Sequence, residues 1–574
     1  MSVIVKEFII EIILINMPPD QTEQLAMPAV EKAPVLEMRN FSNGIDTSAA
    51  SGLIGPNALR FAINCYIDSV HGKVGSLTTR YGIKNLGSID DDIAAVDSDD
   101  EICGLGTHES FVVAMVDTNG GSAYVYYLDG GGGFSDGTWK DTGTTPLAWI
   151  GAQTSFCEFV NYLFAADGNQ FKSIRANTFF TTDWGTTNLS GAPSSIILLE
   201  EFQGRLYAAG GYQNQYLYFS KLPDSSNNIT WDTTIDYIIF NATEDPITAL
   251  EKNGSLLLIF KEKEMYTWDG QSTQSDPLYN IGAVNQQTVQ TIDGNTFFLS
   301  QGVKYLTVQV YSGGIPQDIS KPVREFLKLT NLINVRDGST STNGVASEFG
   351  SWKDDKNYYL SICDVTIDGV IYPNIILSYS LENQSWTIFS IAKKTGTYNN
   401  FFKYSVQFRN LRQNSSYIFD DVNSQYGTFM TVIGGKPLGT TATENTSIAP
   451  VYWNFYSNAG NIPENIDDVG ESSDNPIDVL IQTHELEYGS RSRLKIINKF
   501  NVFASGNYGF VEVSMRVDGG DWIPLGSLTG KTTTFEPGEQ GYYFEFRLKG
   551  SNTGEPFVFE GFDFFDVTLE SYET

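Results

Sequence analysis

The sequence predicts an all-β protein, a β-propeller of about seven blades (six to eight) followed by a C-terminal β-sandwich. Three observations predict it. Aromatic residues reach 13%, with 30 Tyr, 37 Phe and 54 Gly, and helical periodicity is scarce. Trp139, Trp184, Trp231 and Trp268 lie 45, 47 and 37 residues apart, and Trp386 follows 118 further on. That gap holds about three more units of four-stranded-blade size. Between these Trp residues, short apolar runs alternate with Gly-containing turns. At 574 residues the chain exceeds one ordinary hydrophobic core, and at 41% hydrophobic it has the means to fold.

The elements follow in order. Residues 1–37 read as an extended arm or a misassigned start. The opening "MSVIVKEFIIEIILINM" is interrupted by Lys6, Glu7 and Glu11, so it does not read as a membrane span, and Met17 is a second candidate start. Residues 38–435 read as the propeller. Near 56–64, Leu59, Ala62 and Ile63 after Pro56 suggest a short helix. The run "SLLLIF" is apolar at successive positions from Leu256 to Phe260, which predicts a strand covered on both faces. "FQGRLYAAGGYQNQYLYFS", Phe202 to Ser220, reads as a hairpin with Leu206, Ala208, Leu217 and Phe219 in a blade core. Near 320–331, Val323, Phe326, Leu327 and Thr330 fall on one helical face, with Ser320 as a candidate N-cap. Residues 436–477 read as a linker and long loops. Residues 478–574 read as about seven strands of a compact sandwich.

The formal net charge is −32. Such a surface repels nucleic acid, so binding by counterion release is unfavourable, while DNA moving past the protein is not excluded. Cys65, Cys103, Cys157 and Cys363 stand apart without a CxxC pair, and read as buried reduced thiols. His71, His108 and His484 are too dispersed for a zinc site or a Ser/His/Asp triad. Seven acids crowd Asp90 to Glu101. Asp97, Asp99, Asp100 and Glu101 form a weak candidate calcium loop, but Ile102 stands where an EF-hand requires Gly, and a solvated loop is the simpler reading. Arg491, Arg493, Lys495 and Lys499 make the densest basic stretch. The first three alternate, as on one strand face. Two readings stand: a solvated face, or a docking surface for an acidic neighbouring subunit. "FSDGTW" is similar to the Asp-box turn of sialidase propellers but lacks the full spacing and occurs once. No catalytic residues and no cofactor are expected.

From Met38 the chain reads "MRNFSNGIDTSAASGLIGPNALRFAINCYIDSVHGKVGSLTTRYGIKNLG". Phe41 and Gly44, then Pro56 and Asn57, Asn64, Ile67 and Asp68, Gly72, and Arg80 with Gly82 form a pattern. This pattern resembles the opening of β-propeller tail proteins of short-tailed phages, notably their tail nozzle proteins. The blades at Phe202–Asp232 and Asp245–Gly270 and the closing stretch from Thr483 also resemble that family, so the likeness covers roughly Arg39 to Glu570. The resemblance implies a structural virion protein in the tail, assembled in the host cytoplasm, guiding genome ejection without catalysis. It implies a ring of copies, typically six, below the head–tail adaptor. Distal tail or receptor-binding proteins would be neighbours, DNA would pass through without specific binding, and no membrane insertion is expected. Two alternatives compete: a carbohydrate- or receptor-binding propeller using exposed Tyr and Trp, and a propeller glycoside hydrolase.

Overall fold

The computed structural model describes residues 31–32, 36–48, 51–55, 57–68, 75–80, 83–85, 101–108, 111–118, 122–128, 139–141, 154–175, 184–210, 214–240, 243–271, 277–332, 349–353, 356–362, 364–367, 369–372, 375–390, 399–409, 429–438, 451–453, 466–467, 475–488, 491–552 and 556–569. Seven antiparallel units of three or four strands follow one another along the chain, six of them separate sheets and the sixth in order part of a ten-stranded sheet. Their innermost strands are Glu101–His108, Ser155–Phe159, Leu198–Phe202, Ile247–Asn253, Gln290–Ile292, Gly350–Lys353 and Asn399–Arg409. Each packs against the next, and the seventh packs against the first. That closed order is a seven-bladed propeller. Blade 7 is completed by Ile83–Asn85, which pairs with Val451–Trp453 and so draws an early segment into the last blade.

The burial pattern explains why the blade strands are apolar at consecutive positions. Leu257 and Ile259 of blade 4 pack with Leu198, Phe202 and Tyr207 of blade 3. Leu258 and Phe260, on the opposite face of the same strand, pack with Phe298 and Tyr311 of blade 5. A strand between two blades has no solvent face, so the period-two alternation of a half-exposed strand disappears. The hairpin at 205–219 obeys the same rule. Leu206 and Ala208 face blade 2, whereas Tyr207, Ala209 and Leu217 face blade 4. Phe219 is only half-buried. Each fully buried Leu, Ile or Phe contributes about 1.5–3 kcal/mol of transfer free energy.

Three inner hairpins, those of blades 2, 3 and 5, share one turn. Val160–Asn161, Gln203–Gly204 and Asp293–Gly294 all have positive φ at both central residues, the type I′ geometry that matches strand twist. The Trp residues are less regular than their spacing. Trp184, Trp231, Trp268 and Trp386 are all buried. Trp231 lies in a loop, Trp268 in a third strand and Trp386 in an outer strand, so the Trp period tracks blade length and not one blade position.

The sandwich has two sheets. One is centred on Lys495–Gly506 and Phe557–Leu569 and gains Leu36–Met38, Cys65–Asp68 and Ser76–Thr79 from the early chain. The other is Asn475–Gln482, Phe544–Asn552, Glu512–Val517 and Trp522–Ser527. A Phe cluster fills the space between them, with Phe500–Phe546 ring centroids 4.8 Å apart and Phe546–Phe564 5.0 Å apart. Phe61–Ile63 joins the second sheet to blade 6. It pairs antiparallel with Asn475–Gln482 and parallel with Ser385–Ser390, making one continuous sheet across both units.

Several sequence expectations are corrected. Near 56–64, where a helix is expected, the described residues 57–64 form none. Phe61, Ala62 and Ile63 are all buried in the joining strand, so the helix-like spacing reflects burial on both faces. Residues 320–331 hold a single 3-10 turn, Lys321–Val323, followed by irregular turns. Ser320 does not cap it, because its hydroxyl donates to Asp318 Oδ1 at 2.6 Å. Val323, Phe326 and Leu327 are nonetheless buried as the apolar stripe requires. The described strands between 38 and 80 serve the sandwich and the joint, and blade 7 includes Val451–Trp453, inside the expected linker. Among the described residues no helix is long and apolar enough to cross a membrane.

Candidate functional site

The propeller axis is bordered by the innermost strands, and there the polar residues gather. Glu200 of blade 3 and Glu251 of blade 4 stand at equivalent places in their inner hairpins, opposite Tyr207 and Leu258. Both are half-buried. Burial pushes the Glu200 carboxyl well up, the Glu251 charge adds to that shift, and Lys252 and Lys353 oppose it. Burial also raises Glu251, against a hydrogen bond from Thr291 and the charge of Lys353. Cys157 of blade 2 is raised by burial first and then by Glu200 and Glu201.

The belt continues across the blade seams. Lys252 Nζ lies 2.7 Å from Glu201 Oε2, tying blade 4 to blade 3. Lys353 Nζ of blade 6 donates to Thr291 O of blade 5 at 2.6 Å. Gln286 reads both backbone groups of Leu250, accepting from its N at 2.8 Å and donating to its O at 2.9 Å. Ser405 of blade 7 donates to Ser351 O of blade 6 at 2.7 Å. Chemically, two carboxylates this close on the inner strands of neighbouring blades cannot both ionise without cost. Among the described residues no three His, Cys, Asp or Glu side chains gather as a metal site.

The residues singled out in the sequence fall elsewhere. Asp97, Asp99 and Asp100 lie outside the described residues, and Glu101 opens the innermost strand of blade 1 opposite Asp117. The basic stretch is not one strand face. Arg491 to Arg493 form a turn, and the strand starts at Lys495. Lys495 points inward and is fully buried, donating to Arg493 O at 2.8 Å and Tyr542 O at 2.5 Å. Arg491 pairs with Glu485 and Glu487 and lies over the Tyr543 ring at 4.8 Å. Lys499 pairs with Glu536 at 2.6 Å. Cys65 and Cys103 are buried free thiols and Cys157 is a half-buried one, while Cys363 and His71 lie outside the described residues. Sequence reasoning missed the belt, although a polar residue one or two places before each inner turn (Glu158, Glu201, Lys252, Thr291) was available as a signal.

A second feature lies on the outer face of blade 6. Ser378 stands opposite Thr387, and Ser380 opposite Ser385, forming a floor of hydroxyls beside Tyr359 and Phe389. The Lys356–Glu382 pair, 3.6 Å apart, stands at the rim of this small cleft. The Ser385 hydroxyl is buried without a partner among the described residues.

No family model and no curated protein matches the chain. Among solved structures, the WD40 domain of Toxoplasma gondii coronin is similar over 70% of this chain and 89% of its own, at 11% identity and a TM-score of 0.37. The computationally designed Ika8 protein covers 74% and 98%, at 11% identity and 0.33. The β-propeller domain of the Trilobed protease from Pyrococcus furiosus covers 62% and 96%, at 10% identity and 0.31. The propeller assignment rests on the closed ring of seven blades and not on these likenesses.

Proposed function

We propose that this chain is a structural protein of a phage tail, one copy of a ring around the DNA channel below the head–tail adaptor. The supporting observation is where the family-like residues fall. Phe41 is fully buried and stacks on Phe559 of the sandwich at 5.1 Å. Gly44, at φ +65°, lies so close to Trp386 O of blade 6 that a Cβ would clash, and the next residue, Ile45, donates its N–H to that oxygen. Asn64 and Arg80 bond to each other, and both reach Ser390 of blade 6. Four residues of the likeness, Phe41, Gly44, Asn64 and Arg80, thus serve the joint between sandwich and propeller, whose geometry a tail wall would need to hold. The net charge of −32 fits the same reading, because a carboxylate-rich wall offers DNA no phosphate contacts. The test is electron microscopy of the purified chain with and without the adaptor. A ring with an axial channel is the expected outcome, and persistent single particles with the adaptor present overturn the reading.

A second reading, a carbohydrate-binding propeller, has one observation behind it: the hydroxyl floor on blade 6 between Tyr359 and Phe389. A glycan array tests it, and binding that Ser385→Val abolishes would favour it over the tail reading.

A further inference from the structure

The outer face of the second sandwich sheet carries an arginine and tryptophan stack. Arg516 and Arg547 lie over the Trp522 ring, at 4.9 and 4.3 Å from its centroid. Arg516 is neutralised, with its Nε 2.6 Å from the buried Glu545 carboxylate. Arg491 and Lys499, elsewhere on this unit, have carboxylate partners too. Arg547 differs. It makes no ion pair among the described residues, and its buried Nε has no acceptor there. Burial and the neighbouring Arg516 charge both weaken its hold on its proton, while Tyr372 helps it. In a chain of net charge −32, an unneutralised guanidinium held rigid on an indole calls for a physical reason.

The surroundings supply one. Arg547 stands between Gln482 and Ser514 on neighbouring strands. Tyr372 stacks on Phe61 at 6.2 Å, and Phe61 pairs with Gln482. Tyr372 belongs to a hairpin, Val365–Ile367 and Val370–Tyr372, whose Val370 and Ile371 are 52% and 57% exposed. The Arg547–Trp522 stack thus has Tyr372 as a neighbour, and Tyr372 belongs to the hairpin that exposes Val370 and Ile371. That is the composition of an interface hot spot, with the apolar groups excluding water and the guanidinium awaiting a carboxylate.

We propose that this strip docks an acidic surface of a second copy of the same chain, whose carboxylate completes Arg547. Charge complementarity selects that partner: 68 acidic residues against 36 basic make a carboxylate the commonest charged group another copy presents. The contact is heterologous, strip to acidic face, so it repeats around a ring or along a filament. It shares with the tail reading only the premise that copies meet.

Sedimentation of the full chain tests it, across a concentration series at low and high salt. The wild type self-associates, more weakly at high salt. Arg547→Glu weakens association at least tenfold with an unchanged melting temperature. Should that variant melt early, Val370→Asp at the exposed hairpin tip makes the same test without touching the sheet, with the same tenfold loss expected. A wild type that stays monomeric up to about 100 µM, where weak specific contacts already register, overturns this proposal, while the ring stands or falls with the adaptor experiment. Self-association that both variants retain overturns the strip alone. Self-association that both variants lose, in a chain absent from virion tails, upholds the strip and overturns the tail reading.

Discussion

Replacing Asn64 with Ala tests the joint at its centre. Asn64 holds a left-handed backbone, φ +61°. Its Nδ2 donates to Asp478 O at 2.6 Å, and its Oδ1 accepts from Ser390 N and Arg80 Nε, both at 2.8 Å. One side chain therefore links the sandwich, blade 6 and the strand leading to Arg80, which is itself fully buried. The two neutral hydrogen bonds are worth about 1 kcal/mol each, and the charge-assisted one about 2. A Cβ-bearing residue without a polar tip pays about 1 kcal/mol more at this φ. Asn64→Ala therefore costs about 5 kcal/mol, and Asn64→Gly, free of the backbone strain, about 4. Urea unfolding followed by Trp fluorescence reads the loss, with amide exchange at Ser390 locating it. Combined with Arg80→Met, the loss falls short of additive by about 2 kcal/mol, because both changes remove one bond. A cost under about 1 kcal/mol for Asn64→Ala, or strict additivity in the double variant, refutes the account.

Other outcomes follow from the same geometry. The raised carboxyls of the belt bind protons that the unfolded chain releases at ordinary carboxylate pH. Their contribution is thus fullest in acid, below the unfolded value, and is lost as pH rises through the folded one. Glu200→Gln, permanently neutral, should leave the melting temperature near wild type at acid pH and raise it at pH 8, as scanning calorimetry would show. Gly294 has φ +77° with open space around its Cβ, so Gly294→Ala costs about 1 kcal/mol. Gly44→Ala, at φ +65° against Trp386 O, costs more than that in the same denaturant assay, and equal losses would remove the close approach from the argument. Leu258→Ala, at a site closed on both sides by blades 4 and 5, costs about 2–5 kcal/mol in urea unfolding.

The sequence carried the architecture through its apolar runs. Leu256 to Phe260 announced burial on both faces because every inner strand lies between two blades. Finer placement failed where a local rule met a tertiary arrangement. Leu59, Ala62 and Ile63 are spaced as on a helix, yet the segment is a strand bonded on both sides, buried all round. Arg491, Arg493 and Lys495 alternate as a strand face would, but the first two stand in a turn and the third turns inward to two carbonyl oxygens. The belt was hidden for a different reason. Glu200 and Glu251 are two of 68 acids, and only the stacking of blades 3 and 4 makes them neighbours. Arg547 and Trp522 were equally silent, being brought together by the sheet register and not by sequence distance.

The threading of residues 36–85 through the sandwich, the joint and blade 7 sets the order of events during synthesis. Leu77 pairs with Phe559, 482 positions later, and Met38 with Phe562. At roughly 5–20 residues per second, the early strands wait about 25 to 100 s on the ribosome before their partners exist. Over that interval Phe41, Phe61 and Leu77 have no core to enter. Blades 1 to 6 can form as they emerge, but the ring cannot close around them until Val451–Trp453 meets Ile83–Asn85. The strands from Asn475 onward therefore decide when Phe61, Leu77 and the segment at Met38 become buried.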